Sequence, residues 1–137
     1  METDYHFILF YMFFLRVSPN LRSVVYCNGI RFGGQSEWNF GWEIMETTTD
    51  RQERARWMSA LTCSRDTSLL ESYLEMMIEL GLYRGESALI LMGVAENPAG
   101  YQVAWDFIRS NWEETYTMLK ENREISLSDV FEEITSF

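Results

Sequence analysis

The stretch from Leu21 to Glu43 constrains the fold of this chain more than any other. Pro19, just before it, suits the first turn of a helix, where no backbone N–H is needed. The pair Gly33-Gly34 is typical of a helix end. Apolar residues recur at helical spacing around this pair and are expected to face inward: Leu21, Val24, Val25 and Phe32 before it, and Trp38, Trp42 and Met45 after it. The stretch predicts two antiparallel helices joined by a short corner.

The rest of the chain keeps this helical spacing, with breaks where turn and capping residues cluster. Ser36 and Asp50 are predicted N-caps, because a short side-chain oxygen can accept from the free N–H groups of a first helical turn. No apolar alternation with period two runs for a useful length, so the predicted fold class is all-α. The further helices are expected to end near Cys63, at Gly81, at Asn97-Pro98 and at Lys120, with a last short one after Ser126 or Ser128.

The six central helices form three predicted pairs that are related. Trp38-Asn39-Phe40 and Trp105-Asp106-Phe107 share a pattern, lie 67 residues apart, and each fall in the second helix of a pair. One pair lies between them, which gives a repeat of about 33 residues. The expected architecture is an α-solenoid of HEAT- or armadillo-like antiparallel helix pairs. The residues expected to form its structural core are Trp38, Phe40, Trp42, Trp57, Leu70, Tyr73, Leu74, Trp105, Phe107 and Trp112.

The two ends of the chain differ from this pattern. Residues 1–19 are interpreted as an atypical N-terminal segment, and residues 20–137 as part of a longer helical-repeat domain. The last predicted helix ends at apolar Phe137 without the polar capping repeat that a solenoid needs. The apolar run from Phe7 to Leu15 is too short to cross a membrane, which takes about 20 apolar residues. We expect this run to be a buried helix or strand, or a non-native start.

Charge and composition restrict the partners. The chain has 11 basic and 21 acidic residues, a formal net charge of -10, which is the wrong sign for a nucleic-acid backbone or an anionic membrane. We therefore expect no nucleic-acid partner, and the short apolar run leads us to expect no membrane span. Hydrophobic residues make up 47% of the chain, which favours a packed core over disorder.

The sequence offers no recognisable catalytic or metal-binding set. His6 is the only histidine, whereas a catalytic zinc site uses about three protein ligands, often with two histidines one helical turn apart. Glu71, Glu75 and Glu79 recur every four residues, which is typical of a solvated helix face. We predict no catalytic, cofactor-binding or metal-binding residue, and no cofactor, in this chain.

The two cysteines, Cys27 and Cys63, lie in the first helices of neighbouring predicted pairs. First helices stack side by side in a solenoid, so a disulfide is geometrically possible and would contribute roughly 3 to 4 kcal/mol in the chain-entropy model. Free cysteine is also among the most buried residue types. The residues by themselves leave a disulfide and two buried thiols as open alternatives.

Several ordered motifs resemble the C-terminal helical domain of the aminopeptidase N-like zinc aminopeptidases. Within Leu21 to Glu43 these are V-Y-C, the G-G corner and the helix E-W-N-F-G-W-E. The resemblance continues through Leu61 to Asp66, which is similar to the family's A-C-S-[KR] turn, and through Leu70 to Leu74, which is similar to L-x-x-Y-L. Ala104 to Trp112 is similar to W-D-F-[VI]-x-x-N-W. The resemblance spans Pro19 to Phe137.

This resemblance implies a disulfide between Cys27 and Cys63, as in extracellular members, and a parent protein that is extracellular, at the cell surface or in the secretory pathway. The family's catalytic domain, with its H-E-x-x-H zinc helix, lies N-terminal to this region, so zinc is expected in the parent and not in this chain. The implied partners are that catalytic domain, peptide substrates indirectly, and a second copy in a homodimer. Residues 1–18, the turn at Tyr83 to Glu86, and an end before the family's final helices depart from the pattern.

Three hypotheses of different class follow. The first is a fragment of the non-catalytic C-terminal domain of a zinc metalloaminopeptidase, an enzyme that removes N-terminal residues from peptides. In the parent it would cover the active-site cavity and support substrate access or dimerisation. The second is a stand-alone helical-repeat module that binds a peptide or protein. The third is an enzyme that works with carboxylates alone.

Overall fold

The computed structural model describes residues 18–79 and 86–120, together with positions 132 and 135. This part of the chain is all-α, as predicted, and contains no strand. Predictions for residues 1–17, for the helix end at Gly81 and for the last helix beyond Asn122 fall outside the described residues. The helices are α1 (Pro19–Phe32), α2 (Gln35–Thr47), α3 (Arg51–Ala60) with a 3₁₀ turn (Leu61–Cys63), α4 (Thr67–Glu79), α5 (Ser87–Glu96), α6 (Tyr101–Ser110) and α7 (Trp112–Lys120).

These helices belong to two compact units, Met1–Arg65 and Asp66–Phe137. In the first unit, α1 and α2 both pack against α3, and α1 also contacts the 3₁₀ turn. In the second unit, α5 packs along α6, α4 contacts both of them, and α7 contacts both as well. The arrangement of such helices as antiparallel pairs in a solenoid stays a prediction.

Helices in the first unit begin and end largely where local chemistry predicts. Pro19 stands in the first turn of α1, and the backbone N–H of Gly33 closes its last turn by donating to the Gly29 carbonyl at 3.0 Å. Asp50 caps α3 as predicted, since its Oδ1 accepts from the N–H of Gln52 at 2.9 Å. Short polar side chains and glycine therefore set these boundaries.

The start of α2 differs from the prediction. Ser36 is not its N-cap, because the helix already begins at Gln35 with Gly34 in the capping position. The Glu37 carboxylate accepts a hydrogen bond of 2.9 Å from the Gly34 N–H. This contact from the third helical position back to the N-cap is one half of a capping box, and it satisfies the backbone N–H of Gly34.

The face that α1 turns inward also differs from the prediction. Leu21, Val24 and Phe32 were expected in the core but are 52%, 59% and 69% exposed. Tyr26 and Ile30, four residues apart on another side of the helix, are buried, each 2% exposed. Because Tyr26 packs on the aromatic side chains of α3, it fixes the rotation of α1 and leaves the predicted stripe outside.

The predicted helix from Gly100 to Lys120 is divided at Asn111, whose backbone (φ -128°, ψ 46°) is not helical. Both the backbone N–H and the side-chain amide of Asn111 donate to the carbonyl of Phe107, at 2.9 and 3.1 Å. Asparagine competes with helical hydrogen bonding in this way, so α6 ends here and α7 begins one residue later.

Most of the residues predicted for the core are buried within their own unit. Trp42 and Trp105 are only partly buried. Arg109 covers Trp105, with its guanidinium carbon 5.8 Å from the ring centroid. The buried members of the predicted set are Trp38, Phe40, Trp57, Leu70, Tyr73, Leu74 and Phe107.

Trp112 departs from the predicted core, since it is 44% exposed. It is the first residue of α7, and its ring lies 6.1 Å from that of Tyr116, which is also exposed. Thr115 and Leu119 are the buried residues of this helix. The break at Asn111 resets the helical phase, so Trp112 falls on the outer face of α7 and not on the inner face of a continuous helix.

Gly41 marks a close approach of α2 to α3. A Cβ atom at this position would lie 2.7 Å from Cε3 of Trp57 and 3.2 Å from Cδ2 of Leu61. Glycine lets α2 approach α3 at this distance, although it costs about 1 kcal/mol in helix propensity relative to alanine. The Trp57 ring is fully buried and held on both sides, so it has little room to move.

Gly41→Ala should therefore destabilise the chain by about 1 to 3 kcal/mol, because overpacking outweighs the gain in helix propensity. Chemical denaturation followed by circular dichroism measures this. Gly34→Ala is the comparison, since its new methyl group would meet only Oε2 of Glu37, 3.9 Å away, and it should cost less. A Gly41→Ala variant as stable as the unmutated chain would show that the α2–α3 contact is looser than described.

Candidate functional site

A disulfide joins Cys27 in α1 to Cys63 at the end of the 3₁₀ turn, as the family resemblance implied. The S–S distance is 2.06 Å, the two Cα atoms lie 5.4 Å apart, and 36 positions separate the cysteines in sequence. Both cysteines of the chain are used in this bond. The disulfide therefore links α1 covalently to the C-terminal end of α3, within the first unit.

Two arginines make contacts near this disulfide, one with a sulfur atom and one with neighbouring residues of α1. Nη2 of Arg31 lies 3.5 Å from Sγ of Cys27, one helical turn away on α1. Arg65 donates from Nε to the Arg31 carbonyl at 3.0 Å, and its guanidinium carbon lies 5.0 Å from the centroid of the Phe32 ring. The C-terminal half of α1 is thus held by a covalent bond, a hydrogen bond and a cation–π contact.

A buried carboxylate, Glu53, forms a second connection between α1 and α3. Only 6% of Glu53 is exposed. Its Oε2 accepts a hydrogen bond of 2.8 Å from the Tyr26 hydroxyl, and its Oε1 accepts one of 3.0 Å from Arg56. Arg22 of α1 adds an ion pair to Oε1 at 3.8 Å. A charge is costly to bury unless it is paired, so these contacts specify where α1 can sit on α3.

Aromatic rings pack beside this charge. The Tyr26 ring stacks on Trp57 with a centroid distance of 4.2 Å and an interplanar angle of 11°. Phe40 of α2 meets Trp57 edge-on at 6.1 Å. The indole N–H of Trp38 donates to the Leu61 carbonyl at 3.1 Å, which ties α2 to the 3₁₀ turn. Trp57 is therefore the ring at which α1, α2 and α3 meet.

Sequence reasoning missed the Glu53 group, although a signal was present. Glu53 stands four residues before Trp57, on the face of α3 that the apolar spacing directs inward. A charged residue on an inward face needs a partner, and Arg22 and Tyr26 lie one turn apart on the adjoining helix. The apolar spacing gave no predicted role to Glu53, Arg22 or Tyr26.

The second unit presents an acidic surface. Glu71, Glu75 and Glu79 are exposed, as predicted, and the first two line a shallow cleft of about 210 Å³ together with Asp106. Hydrogen bonds from Arg109 at 2.6 Å and Gln102 at 3.0 Å lower the pKa of Asp106 below its usual range. Because Asp106 and Arg109 are both exposed, their ion pair contributes little stability.

The donor atoms of the described residues do not fit a zinc site. Across residues 18–79 and 86–120, no group of three or more His, Cys, Asp or Glu side chains could hold a metal ion. Both cysteines are bonded to each other, and His6 lies outside the described residues. In this part of the chain no helix is long and apolar enough to cross a bilayer. The candidate site is the α1–α3 junction, which contains the Cys27–Cys63 disulfide and the Glu53 group.

Comparison with known proteins gives a family match along most of the chain. The model of the ERAP1-like C-terminal domain matches residues 11–137. Aminopeptidase N of Mus musculus is 42% identical over 101 residues, which cover 73% of this chain and 10% of that protein. Aminopeptidase Ey of Gallus gallus is 39% identical over 97 residues, 70% of this chain and 10% of that protein.

A third relative differs in name from these two. The thyrotropin-releasing hormone-degrading ectoenzyme of Rattus norvegicus is 34% identical over 98 residues, which cover 71% of this chain and 9% of that protein. In each comparison the chain spans about a tenth of the length of the curated relative that it matches.

Removing the disulfide by Cys27→Ser together with Cys63→Ser should lower the free energy of unfolding by about 3 to 4 kcal/mol, because the loop closed by 36 positions becomes free in the unfolded chain. Denaturant titration of the variant and of the unmutated chain, both without reductant, measures the difference in the free energy of unfolding. In excess dithiothreitol, the unmutated chain should unfold with the lower free energy of the variant. Equal stability of the unmutated chain and the variant without reductant would contradict a contribution of the disulfide to the fold.

Replacing Glu53 by alanine should destabilise the chain by about 2 to 4 kcal/mol, because Arg56 and the Tyr26 hydroxyl lose a buried partner. Glu71→Ala is the matched control: Glu71 is exposed on α4, and its loss should change stability by less than about 0.5 kcal/mol. Thermal unfolding of the two variants under identical conditions compares them. Equal unfolding temperatures would show that Glu53 is solvated and not buried at the junction.

Proposed function

The chain belongs to the ERAP1-like C-terminal domain family, and we propose that it acts as a non-catalytic part of a longer zinc metalloaminopeptidase that removes N-terminal residues from peptides. In that parent it would cover the active-site cavity and support substrate access or dimerisation. Its partners would be the catalytic domain of the same protein, and peptide substrates indirectly. The zinc ion would be held by the parent's catalytic domain.

The observation that carries this proposal is the family match over residues 11–137 of a chain that spans about a tenth of its curated relatives. The activity named for such a relative belongs to the whole of that protein, of which this chain matches about a tenth.

The α1–α3 junction supports a role that depends on shape. A wall over a cavity must keep its form while peptides pass beneath it, and a covalent bond beside a buried charge group resists local opening. The Cys27–Cys63 disulfide provides the covalent bond and the Glu53 group provides the buried charge, and both join α1 to α3. The exposed apolar side chains of α1, Leu21 and Val24, would offer contact area to other parts of a longer protein.

The disulfide also supports a parent in the secretory pathway or at the cell surface, because structural disulfides persist in oxidising compartments. The relative from Rattus norvegicus is named an ectoenzyme, which agrees with such a location. We propose the same compartment for the parent of this chain.

A stand-alone helical interaction module is the second candidate. The exposure of Leu21, Val24 and Phe32 favours it as well, since such a face could bind a peptide or protein partner. The two candidates differ in what the face would recognise: the first requires the rest of an aminopeptidase, and the second does not.

Complementation in trans tests the proposal. Aminopeptidase N of Mus musculus without its matching segment of 101 residues would be mixed with this chain, and hydrolysis of an aminoacyl-anilide would be measured for each part and for the mixture. We expect no turnover by the chain alone, binding between the two parts, and higher turnover by the mixture. The variant Glu53→Ala, which loosens the junction, should restore less activity than Glu71→Ala.

Zinc-dependent turnover by the chain alone would contradict the proposal directly. A chain that melts cooperatively, is monomeric, and has no affinity for the truncated aminopeptidase would favour the stand-alone module instead. Size-exclusion chromatography and isothermal titration calorimetry of the same samples give these two readings.

A further inference from the structure

A guanidinium group contacts one sulfur of the Cys27–Cys63 disulfide. The Arg31 guanidinium lies 3.5 Å from Sγ of Cys27. The other nearby arginine, Arg65, is directed to the Arg31 carbonyl and to the ring of Phe32. A positive charge therefore stands against one sulfur of the bond.

Neither cysteine of the disulfide is fully buried. Cys27 and Cys63 are each partly exposed, and Arg31 is exposed. A disulfide is broken when a thiolate attacks one sulfur in line with the bond and the other sulfur departs as a thiolate. The sulfur that departs more readily is the one whose thiolate is better stabilised, and a neighbouring guanidinium provides that stabilisation.

We propose that this disulfide is a directional thiol-exchange site: an external thiolate bonds to Sγ of Cys63, the Cys63–Cys27 bond breaks, and its electron pair leaves on Sγ of Cys27 beside Arg31. The external reductant is a low-molecular-weight thiol. After the first step Cys63 is in a mixed disulfide with that thiol, and Cys27 is a free thiolate. A second thiol molecule then releases Cys63 and is oxidised with the first to a disulfide.

Reduction would open only one end of the α1–α3 junction. The Tyr26 hydroxyl, Arg22 and Arg56 hold Glu53 independently of the sulfur atoms. The groups released are those of the last turn of α1, where Arg65 reaches Arg31 and Phe32. The exchange site would therefore loosen this turn while the buried charge keeps the rest of the helix in place. This inference does not depend on the proposed function.

The test uses the full chain and reduced glutathione. After short exposure, free thiols are blocked with N-ethylmaleimide at low pH, and mass spectrometry of peptides locates each group. We expect glutathione on Cys63 and maleimide on Cys27. Glutathione mainly on Cys27, or divided equally between the two cysteines, would overturn the proposal.

The rate of reduction gives a second, independent reading. Arg31→Gln should slow reduction by glutathione about two- to fourfold, a modest factor because Arg31 is exposed and its charge is screened by solvent. Arg51→Gln is the matched control: it removes the same charge from an exposed position in the first turn of α3, and should leave the rate unchanged. The difference between the variants should shrink in 1 M salt. Equal rates for the two variants would overturn the role of Arg31.

Discussion

The first unit depends on how one charged side chain is accommodated. Glu53 on α3 is almost fully buried, and a buried carboxylate is tolerated only where donors and cations meet it. Two of its partners, Arg22 and Tyr26, lie on α1. Their ion pair and hydrogen bond with Glu53 therefore fix both the position and the rotation of that helix. The stacking of Tyr26 on Trp57 follows from the same placement, and the exposure of the Leu21 stripe is its consequence.

Sequence reasoning predicted those parts of the fold that local chemistry decides. The helix end at Gly33 and the helix start at Asp50 follow from local space and capping: a Cβ at Gly33 would lie 2.6 Å from the Gly29 carbonyl oxygen, and the Asp50 side chain caps α3. The rotation of α1 could not be read in this way, because that helix is apolar on two sides and its buried anchor is a tyrosine, a residue with a polar tip. The break at Asn111 was missed because asparagine is tolerated inside helices when tertiary contacts favour it.

The candidate site was predictable only in part, for a related reason. Spacing left the state of Cys27 and Cys63 open, since two half-buried thiols and a bond use the same helix stacking. The family motifs around them decided in favour of the bond, which the structure contains. The partners of Glu53 on α1, Tyr26 and Arg22, are separated from it by 27 or more positions in the chain, and charge pairing at that range depends on how two helices meet.

The two connections between α1 and α3 differ in what they resist. The Glu53 group opposes rotation and lateral movement of α1, because any displacement leaves a charge or a donor unpaired in a dry environment. The disulfide opposes separation of the end of the helix, and its contribution comes largely from the unfolded chain. A change at one connection leaves the other in place. The outer face of α1, with Leu21 and Val24, is thus held at a defined angle by interactions on the opposite side of the same helix.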